Sequence, residues 1–426
     1  MSKIAIYTLT SELHDKNMVT AETCAVLASL QVEHEFRGRK FDDYGSHTLD
    51  LIYVRTGGCE NLFVERLPLM RAQSDRPFYL LTSGKSNSLA AAMEILSFLR
   101  QNGLRGEILH GDSDYVSRRI SILLKVAEVK QKLRGTRLGV IGKPSDWLIS
   151  SHVDKQAMEQ LFGLQLVDIP MQELLSAIAV MPVRDVPEAA PTEAIRQALP
   201  GVSKIYKSLR AIIGQYQLKG FTLRCFDLLS AIRNTGCLAL AKLNSQGYVA
   251  GCEGDVPAMV TMMIAQALTC VSGFQANPSS INVLTGEIVF AHCTIPLDMV
   301  ERYELDTHFE SGIGVGVRGY MKEGPVTIFK VAGNPVLRPG TCEGTFSPSL
   351  RPSPAADDGL PYFIAEGELV ANQSKPDLCR TQQVIRLSDA SQASYFLTRP
   401  IGNHHIIIPG HHREVLEEFF QDVLWQ

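Results

Sequence analysis

The sequence is poor in the features that mark exported, membrane-spanning and nucleic-acid-binding proteins. Its nine cysteines include no CxxC pair, and no apolar stretch reaches the roughly 18 residues that a membrane span requires. The opening residues, MSKIAIYTLTSELHD, lack the long apolar core of a signal peptide. A net charge of −4 provides no basic excess for binding nucleic acid or a membrane surface. These absences predict a cytoplasmic protein with reduced thiols and without a nucleic-acid or membrane partner.

The chain has 426 residues, 45% of them apolar, which is enough for two or three domains with hydrophobic cores. Strand and helix patterns alternate over residues 1–134, and a new strand near Gly135 restarts the alternation over residues 135–271. This pattern predicts two Rossmann-like or flavodoxin-like α/β domains with parallel sheets. Over residues 272–426, short strands separated by turn residues replace the helical periodicity. We therefore predict a β-rich C-terminal domain, an antiparallel barrel or sandwich.

Two carboxylates lie between an apolar strand and an apolar helix in GYVAGCEGDVPAMVTMMIAQAL, residues 247–268. Asp255 precedes Val256-Pro257 and is typical of a helix N-cap, whose side chain accepts free backbone N–H groups. Glu253 instead falls in the strand-to-helix turn. In open α/β sheets that turn, at the carboxyl end of a strand, is where ligands bind. Glu253 is therefore the first candidate for a functional residue.

Histidines end or interrupt two apolar segments further along the chain. His292 closes EIVFAHC, and His404 and His405 interrupt IGNHHIIIPG. A polar side chain in such a place needs a partner or a function, although a hydrogen-bonded structural histidine is the simpler interpretation of each one alone. One Glu and two His with an open position form a ligand set for Mn²⁺, Mg²⁺, Co²⁺ or Zn²⁺. Spacing alone does not establish that these three segments converge.

Other polar residues lie in loops that could border the same crevice. Asp227, in LRCFDLL, could reach it from the neighbouring strand or could simply cap the next helix. The turn GKPSDW carries Lys143 and Trp147, which could line a sugar or anion site. Arg224 and Arg233 add positive charge nearby in the sequence, and together with Lys143 they hint at a sulfonated or phosphorylated ligand.

Three motifs in order resemble the L-fucose/L-arabinose isomerase-like family. They are GCEGD before an apolar helix, FAHCTIP after it, and GNHHIIIPG near the C-terminus. The order of two α/β domains and a β-rich domain is also similar, so the resemblance covers essentially the whole chain. Family members interconvert aldoses and ketoses with a bound divalent cation, usually Mn²⁺. The resemblance also implies a sugar substrate and a homo-oligomer with the active site near a subunit interface.

The resemblance implies a role for each matching position. Glu253 matches the first metal-binding, catalytic glutamate, and His292 matches a histidine ligand of the arabinose-isomerase branch. The C-terminal histidine ligand matches His404 or its neighbour His405, and the preceding Asn favours His404. Asn277 stands nearest to the position of the second family carboxylate, which is a departure from the family pattern.

The departure affects the expected chemistry. Aldose–ketose isomerisation moves a proton between C1 and C2 through a cis-enediol(ate), so one group must take the proton and another must return it. Asn277 can offer a carbonyl oxygen to a metal but cannot carry a proton. Either another group such as Asp227, or less favourably Glu287, supplies the acid, or the chemistry differs, or the site has decayed.

Our leading hypothesis is a metal-dependent aldose–ketose isomerase that acts on a small sugar or sugar derivative. Glu253 would be ligand and general base, and the other ligands would be Asn277, His292 and His404. The predicted substrate contacts are Lys143, Trp147 and His405. The alternative is a non-catalytic sugar-binding or regulatory protein on the same scaffold, because a fold does not fix a function.

Overall fold

The computed structural model describes residues 3–183, 190–333 and 361–424. The chain divides into two compact units, Met1–Gln131 and Lys132–Gln426. Among the described helices, none has the length and hydropathy that crossing a bilayer demands.

The first unit is built on a parallel sheet. Its strands are β1 (Ile4–Leu9), β2 (Glu35–Gly38), β3 (Leu49–Val54), β4 (Phe78–Thr82) and β5 (Gly106–Leu109). Its helices are α1 (Lys16–Ser29), α2 (Glu60–Gln73), α3 (Ser88–Gln101) and α4 (Ser113–Leu133). Strands β1, β3 and β4 are buried along their whole length, as expected where helices cover both faces of a parallel sheet. The strand order β2-β1-β3-β4-β5 is that of flavodoxin-like folds, which confirms the predicted fold class.

The second unit begins with another parallel sheet. Its strands are β6 (Thr136–Ile141), β7 (Leu164–Ile169), β8 (Gly220–Leu223) and β9 (Val249–Gly251). The accompanying helices are α5 (Lys155–Phe162), α6 (Met171–Val180), α7 (Glu193–Tyr216), α8 (Phe226–Ile232), α9 (Cys237–Ser245) and α10 (Val256–Thr269). The strands pair in the order β7-β6-β8-β9, all parallel, which confirms a second α/β layer.

A closed antiparallel barrel follows in the same unit. The described strands of this part are β10 (Phe274–Asn282), β11 (Glu287–His292), β12 (Arg302–Asp306), β13 (Gly316–Tyr320), β14 (Gly324–Val331), β15 (Tyr362–Gln373), β16 (Thr381–Leu387) and β17 (His405–Pro409). The helices are α11 (Tyr395–Thr398) and α12 (Arg413–Leu424), with 3-10 turns at Leu297–Met299 and Ala390–Ser394. The barrel order is β10-β11-β16-β15-β14-β17, and β12 pairs with β13 outside it. The prediction of an antiparallel barrel is confirmed.

Helix α10 lies between the sheet and the barrel. It packs against β8 and β9 on the sheet side and against β14 and β17 on the barrel side. Burial against both layers explains why its sequence is apolar on almost every face. One hydrophobic core runs from Phe221 in the sheet to Phe290 and Ile407 in the barrel. The predicted boundary at residue 272 lies within this shared core, and the division of the chain at residues 134 and 271 stays a prediction.

Candidate metal centre

Glu253 occupies a strained turn between β9 and α10. Its φ is 61°, in the left-handed region that residues with a side chain rarely adopt, and Gly254 follows with a φ of 69°. The Ser145 N–H donates to the Glu253 carbonyl oxygen at 3.0 Å, so the loop after β6 holds this turn. A Cβ atom on Gly254 would lie 2.5 Å from the carbonyl oxygen of Lys143. Such strain is common at functional sites, because the surrounding structure must enforce it.

Two histidines from the barrel face the Glu253 carboxylate. Glu253 Oε1 lies 3.5 Å from His292 Nε2 and 3.5 Å from His404 Nε2. One donor atom from each of the three residues lies within 4.8 Å of the others. The structure therefore brings together the three residues that the sequence suggested as ligands, although their spacing along the chain did not establish that they converge.

The strand pairing of the barrel brings the segments that carry the two histidines together. Strand β10 pairs with β11 on one side and with β17 on the other. Asn277 on β10 is opposite Ala291, and Ala276 is opposite His405. His292 ends β11 directly after Ala291, and His404 directly precedes His405 at the start of β17, so both histidines lie at the strand ends that flank this part of β10.

A hydrogen bond at Nδ1 orients each histidine. His404 Nδ1 lies 2.8 Å from Asp255 Oδ2, and His292 Nδ1 lies 3.1 Å from the Thr294 hydroxyl. Both rings thus turn Nε2 toward Glu253. Within the described part of the chain, the buried Nε2 of His404 has no hydrogen-bond partner. A histidine with Nδ1 held and Nε2 free is the usual state of a metal ligand, so the donor set fits a divalent cation.

The electrostatics of the cluster also favour positive charge. Burial by itself raises the pKa of Glu253, but the adjacent imidazoles of His404 and His292 outweigh it and hold that pKa well below its usual range. Burial also works against ionised Asp255, yet Lys330 and His404 lower its pKa to about 2. Burial disfavours protonation of His404, but Glu253 and Asp255 raise its pKa to about 9. Two ionised carboxylates thus attract a cation, whether proton or metal, to the imidazole between them.

Two further predicted residues lie near Glu253: Trp147 contacts its carboxylate, and Asn277 lines a small cavity with it. The Trp147 Nε1–H donates to Glu253 Oε2 at 2.8 Å, and Trp147 is 52% exposed, with its ring edge-on to Phe226. Asn277 lines the cavity together with Glu253, and its Oδ1 accepts a hydrogen bond from Asn403 Nδ2 at 3.0 Å. Glu253 therefore has one oxygen held by an indole at the solvent side and the other facing the imidazoles.

Lys143, Arg224 and the predicted acid Asp227 are occupied in ion pairs. Lys143 Nζ lies 3.2 Å from Asp146 Oδ1, and Arg224 also binds Asp146, at 2.8 Å. Arg224 Nε donates to Asp227 Oδ1 at 3.0 Å. The alternative of Asp227 as a helix cap is wrong, because Cys225 occupies the N-cap position of α8 and Asp227 lies inside the first turn. Arg233 is the C-cap residue of α8.

His405 lies apart from the cluster. It is fully buried, with Nδ1 3.0 Å from the Asn403 carbonyl oxygen and Nε2 3.1 Å from the Tyr395 hydroxyl. Successive residues of a strand face opposite sides, so His405 points away from the side that His404 faces. The geometry gives no support to the predicted substrate contact at His405, because protein atoms already engage both of its ring nitrogens.

Sequence reasoning missed several residues around the cluster. The same cavity is lined by Phe226, His308, Glu310 and five cysteines, Cys225, Cys237, Cys252, Cys293 and Cys379. Burial and the nearby charge of Glu253 raise the pKa of Glu310. The available signal for Glu310 was its place in THFES, a polar segment directly after a strand. Scattered cysteines gave no comparable pattern, because their spacing along the chain is irregular.

Parallel α/β layers, a closed antiparallel barrel and a Glu-His-His cluster between them are what the L-fucose/L-arabinose isomerase-like class leads one to expect. The chain is similar to a sulfoquinovose isomerase of Clostridium sp. (strain MSTE9), with 24% identity over 293 residues, 63% of this chain and 61% of that protein. It is also similar to a sulfoquinovose isomerase of Alkalicoccus urumqiensis, with 22% identity over 267 residues, 58% of this chain and 60% of that protein. These similarities confirm the resemblance at the level of the family. The matches span about three fifths of the length of each relative, and no family model matches the sequence.

The turn at Glu253 yields a test of how tightly its backbone is packed. We expect Gly254→Ala to lower the free energy of unfolding by about 3 kcal/mol. The alanine would adopt an unfavourable left-handed backbone conformation, and its Cβ would also clash with the Lys143 carbonyl oxygen. Gly247→Ala is the matched control. Gly247 also has a positive φ, of 82°, but a Cβ there meets no atom within 4 Å, so its cost should stay near the roughly 1–2 kcal/mol of the backbone alone. Urea unfolding of both variants measures the difference, and equal losses would contradict the packing argument.

Proposed function

We propose that this protein is a divalent-metal-dependent aldose–ketose isomerase that acts on a small sugar or sugar derivative. The observation that carries the proposal is the convergence of Glu253, His292 and His404, with no hydrogen bond to the buried Nε2 of His404 among the described residues. The two similar proteins, both named as sugar isomerases, support the same class of reaction.

Glu253, His292 and His404 would hold the cation, and the carbonyl oxygen of Asn277 is available as a neutral fourth group. When bound, a divalent cation supplies a Lewis acid that polarises the sugar carbonyl and stabilises negative charge on its oxygens. A mixed set of carboxylate, imidazole and amide donors suits Mn²⁺ first, with Mg²⁺, Co²⁺ and Zn²⁺ as alternatives.

Proton transfer needs two groups with different proton affinities in one cavity. Glu253 is held ionised, so it can act as the base that removes the proton from the sugar carbon. Glu310 lines the same cavity, and burial and the charge of Glu253 favour its protonated form. A pair of carboxyl groups with oppositely shifted pKa values is the usual arrangement of a base and an acid. We therefore propose Glu310 for the acid role ahead of Asp227, which is paired with Arg224.

An anionic sugar fits the loop that carries Trp147. Lys143 and Arg224 share one exposed counter-ion, Asp146, which a sulfonate or phosphate group could replace. The half-exposed indole of Trp147 offers an apolar face for a sugar ring beside the carboxylate that it holds. We propose a sulfonated aldose as the first substrate to test, since the similar proteins are named for a sulfonated sugar. Homo-oligomer formation, an active site near a subunit interface and a cytoplasmic location stay predictions.

A non-catalytic sugar-binding or regulatory protein is the second candidate function. The observation that favours it is Asn277, which stands where the family resemblance implies a second carboxylate. Turnover separates the two candidates, because a binding protein keeps its ligand without exchanging a proton.

We expect the purified protein to retain one divalent cation per chain after Mn²⁺ loading and gel filtration. Glu253→Gln and His404→Ala should lose it, because the first removes the negative charge of the three-residue site and the second removes a donor atom. His411→Ala is the matched control, since His411 is 51% exposed on the barrel and contacts Glu366 rather than the cluster. Elemental analysis measures the metal content. Wild-type protein without metal, or a loss in His411→Ala equal to that in His404→Ala, would count against the proposed centre.

Deuterium exchange at C2 of the sugar tests the reaction directly. In D₂O with Mn²⁺ and a sulfonated aldohexose, wild-type protein should produce the ketose and incorporate deuterium, and chelator should stop both. Glu253→Gln should slow exchange by at least about 10²-fold, because it removes the base. Proton NMR follows the substrate, and circular dichroism shows whether the variant keeps its fold. Sugar binding without exchange in the wild type would favour the second candidate function.

The two candidate acids can be compared in the same assay. Glu310→Gln should lower the isomerisation rate by about 10²–10⁴-fold, as expected for loss of a general acid, whereas Asp227→Asn should change it only a few-fold. The reverse pattern would assign the acid role to Asp227.

A further inference from the structure

A lysine lies buried in strand β14, beside the proposed centre. Lys330 is 1% exposed, and no hydrogen-bond partner of its Nζ is present in the described ranges. Asp255 Oδ2 lies 3.8 Å from Nζ, and Asp255 is 0% exposed. A buried ammonium is costly without an opposite charge, so this carboxylate is its counter-ion.

The Asp255 carboxylate has three neighbours with different functions. Oδ1 accepts the Ala258 N–H at 2.8 Å, which caps helix α10. Oδ2 faces both the Lys330 ammonium and, at 2.8 Å, the Nδ1 atom of His404. Three buried groups thus form a row from Lys330 through Asp255 to His404, and the row ends at Nε2, 3.5 Å from Glu253 Oε1.

We propose that Lys330 is a positioning residue of the metal centre: its ammonium fixes the Asp255 carboxylate, which holds the His404 ring with Nε2 directed at Glu253. This inference rests on the proposed function, because it takes His404 as a ligand. Outer partners of ligating histidines set ring orientation and metal affinity in this way.

The chain just before His404 is shaped around the lysine. Gly402 has a φ of 125°, and a Cβ on it would lie 3.2 Å from Lys330 Cε and 3.4 Å from Nζ. A side chain at this position would press on the ammonium end of Lys330. The segment that places His404 therefore passes directly over Lys330, which couples the position of the lysine to that of the ligand.

A double-mutant cycle separates positioning from a simple packing role. Lys330→Met removes the ammonium and keeps an unbranched apolar chain, and Asp255→Asn keeps an acceptor for the Ala258 N–H. Each single variant should weaken Mn²⁺ binding by about 10–100-fold. If Lys330 acts through Asp255, the double variant should bind no more weakly than Asp255→Asn alone. Isothermal titration calorimetry on the full chain measures these affinities.

Two results would overturn the proposal: wild-type affinity in Lys330→Met, or losses that multiply in the double variant. Where Lys330→Met does not fold, the double variant, which leaves no buried unpaired charge, is compared with Asp255→Asn. Where Asp255→Asn does not fold, because it leaves the ammonium without its counter-ion, Lys330→Met is compared with the wild type.

A second readout needs no metal. In metal-free wild-type protein, a ¹⁵N–¹H correlation should show a slowly exchanging Nδ1–H of His404, assigned by its loss in His404→Gln, and Lys330→Met should lose the same signal. Wild-type protein that binds no Mn²⁺ would overturn the proposed centre. The Nδ1–H signal would then decide the role of Lys330 by itself, and its persistence in Lys330→Met would contradict that role.

Discussion

The hydrogen bond between Asp255 and His404 is the contact on which the candidate centre depends. Asp255 caps the helix that follows the last strand of the parallel sheet, and His404 directly precedes a strand of the barrel. One buried carboxylate therefore joins the two layers of the second unit and turns an imidazole toward Glu253. A capping residue chosen for polarity alone could be Ser or Thr. An aspartate adds the charge that a protonated Nδ1 and a buried ammonium both require.

Local patterns predicted the parts of this structure that depend on neighbouring residues in the chain. The alternation of strands and helices, the cap at Asp255 and the position of Glu253 in a strand-to-helix turn all follow from short-range chemistry. The meeting of Glu253, His292 and His404 depends on closure of a six-stranded barrel and on the register of β10 against β11 and β17. The spacing of residues along the chain determines neither barrel closure nor strand register. The sequence could therefore suggest the three ligands but not the distances between their side chains.

The choice between His404 and His405 shows the same limit at the scale of one residue. Both stand in one apolar segment, and residue type does not distinguish them. Strand alternation sends one ring to the cluster and the other into an aromatic pocket with Tyr395 and Phe396.

The sequence contained a signal for Lys330, because a lysine inside the apolar strand GPVTIFKV needs a buried partner. That partner, Asp255, was already explained as a helix cap. The sequence therefore provided no reason to assign it a second role as the counter-ion of Lys330.

The proposed function separates two tasks that a second metal-binding carboxylate would combine. Asn277 can donate an oxygen to a cation without adding charge, so attraction of the cation falls to Glu253 and the oriented imidazoles. A neutral amide also leaves the proton of the sugar to other groups. Glu310 comes from the connection between β12 and β13, outside the barrel strands that carry His292 and Asn277. A carboxyl group there can keep its proton because it is free of the metal, whereas a ligating carboxylate must lose it. Loss of the second carboxylate at the ligand position is therefore compatible with turnover, provided that the acid stands beside the cation rather than on it.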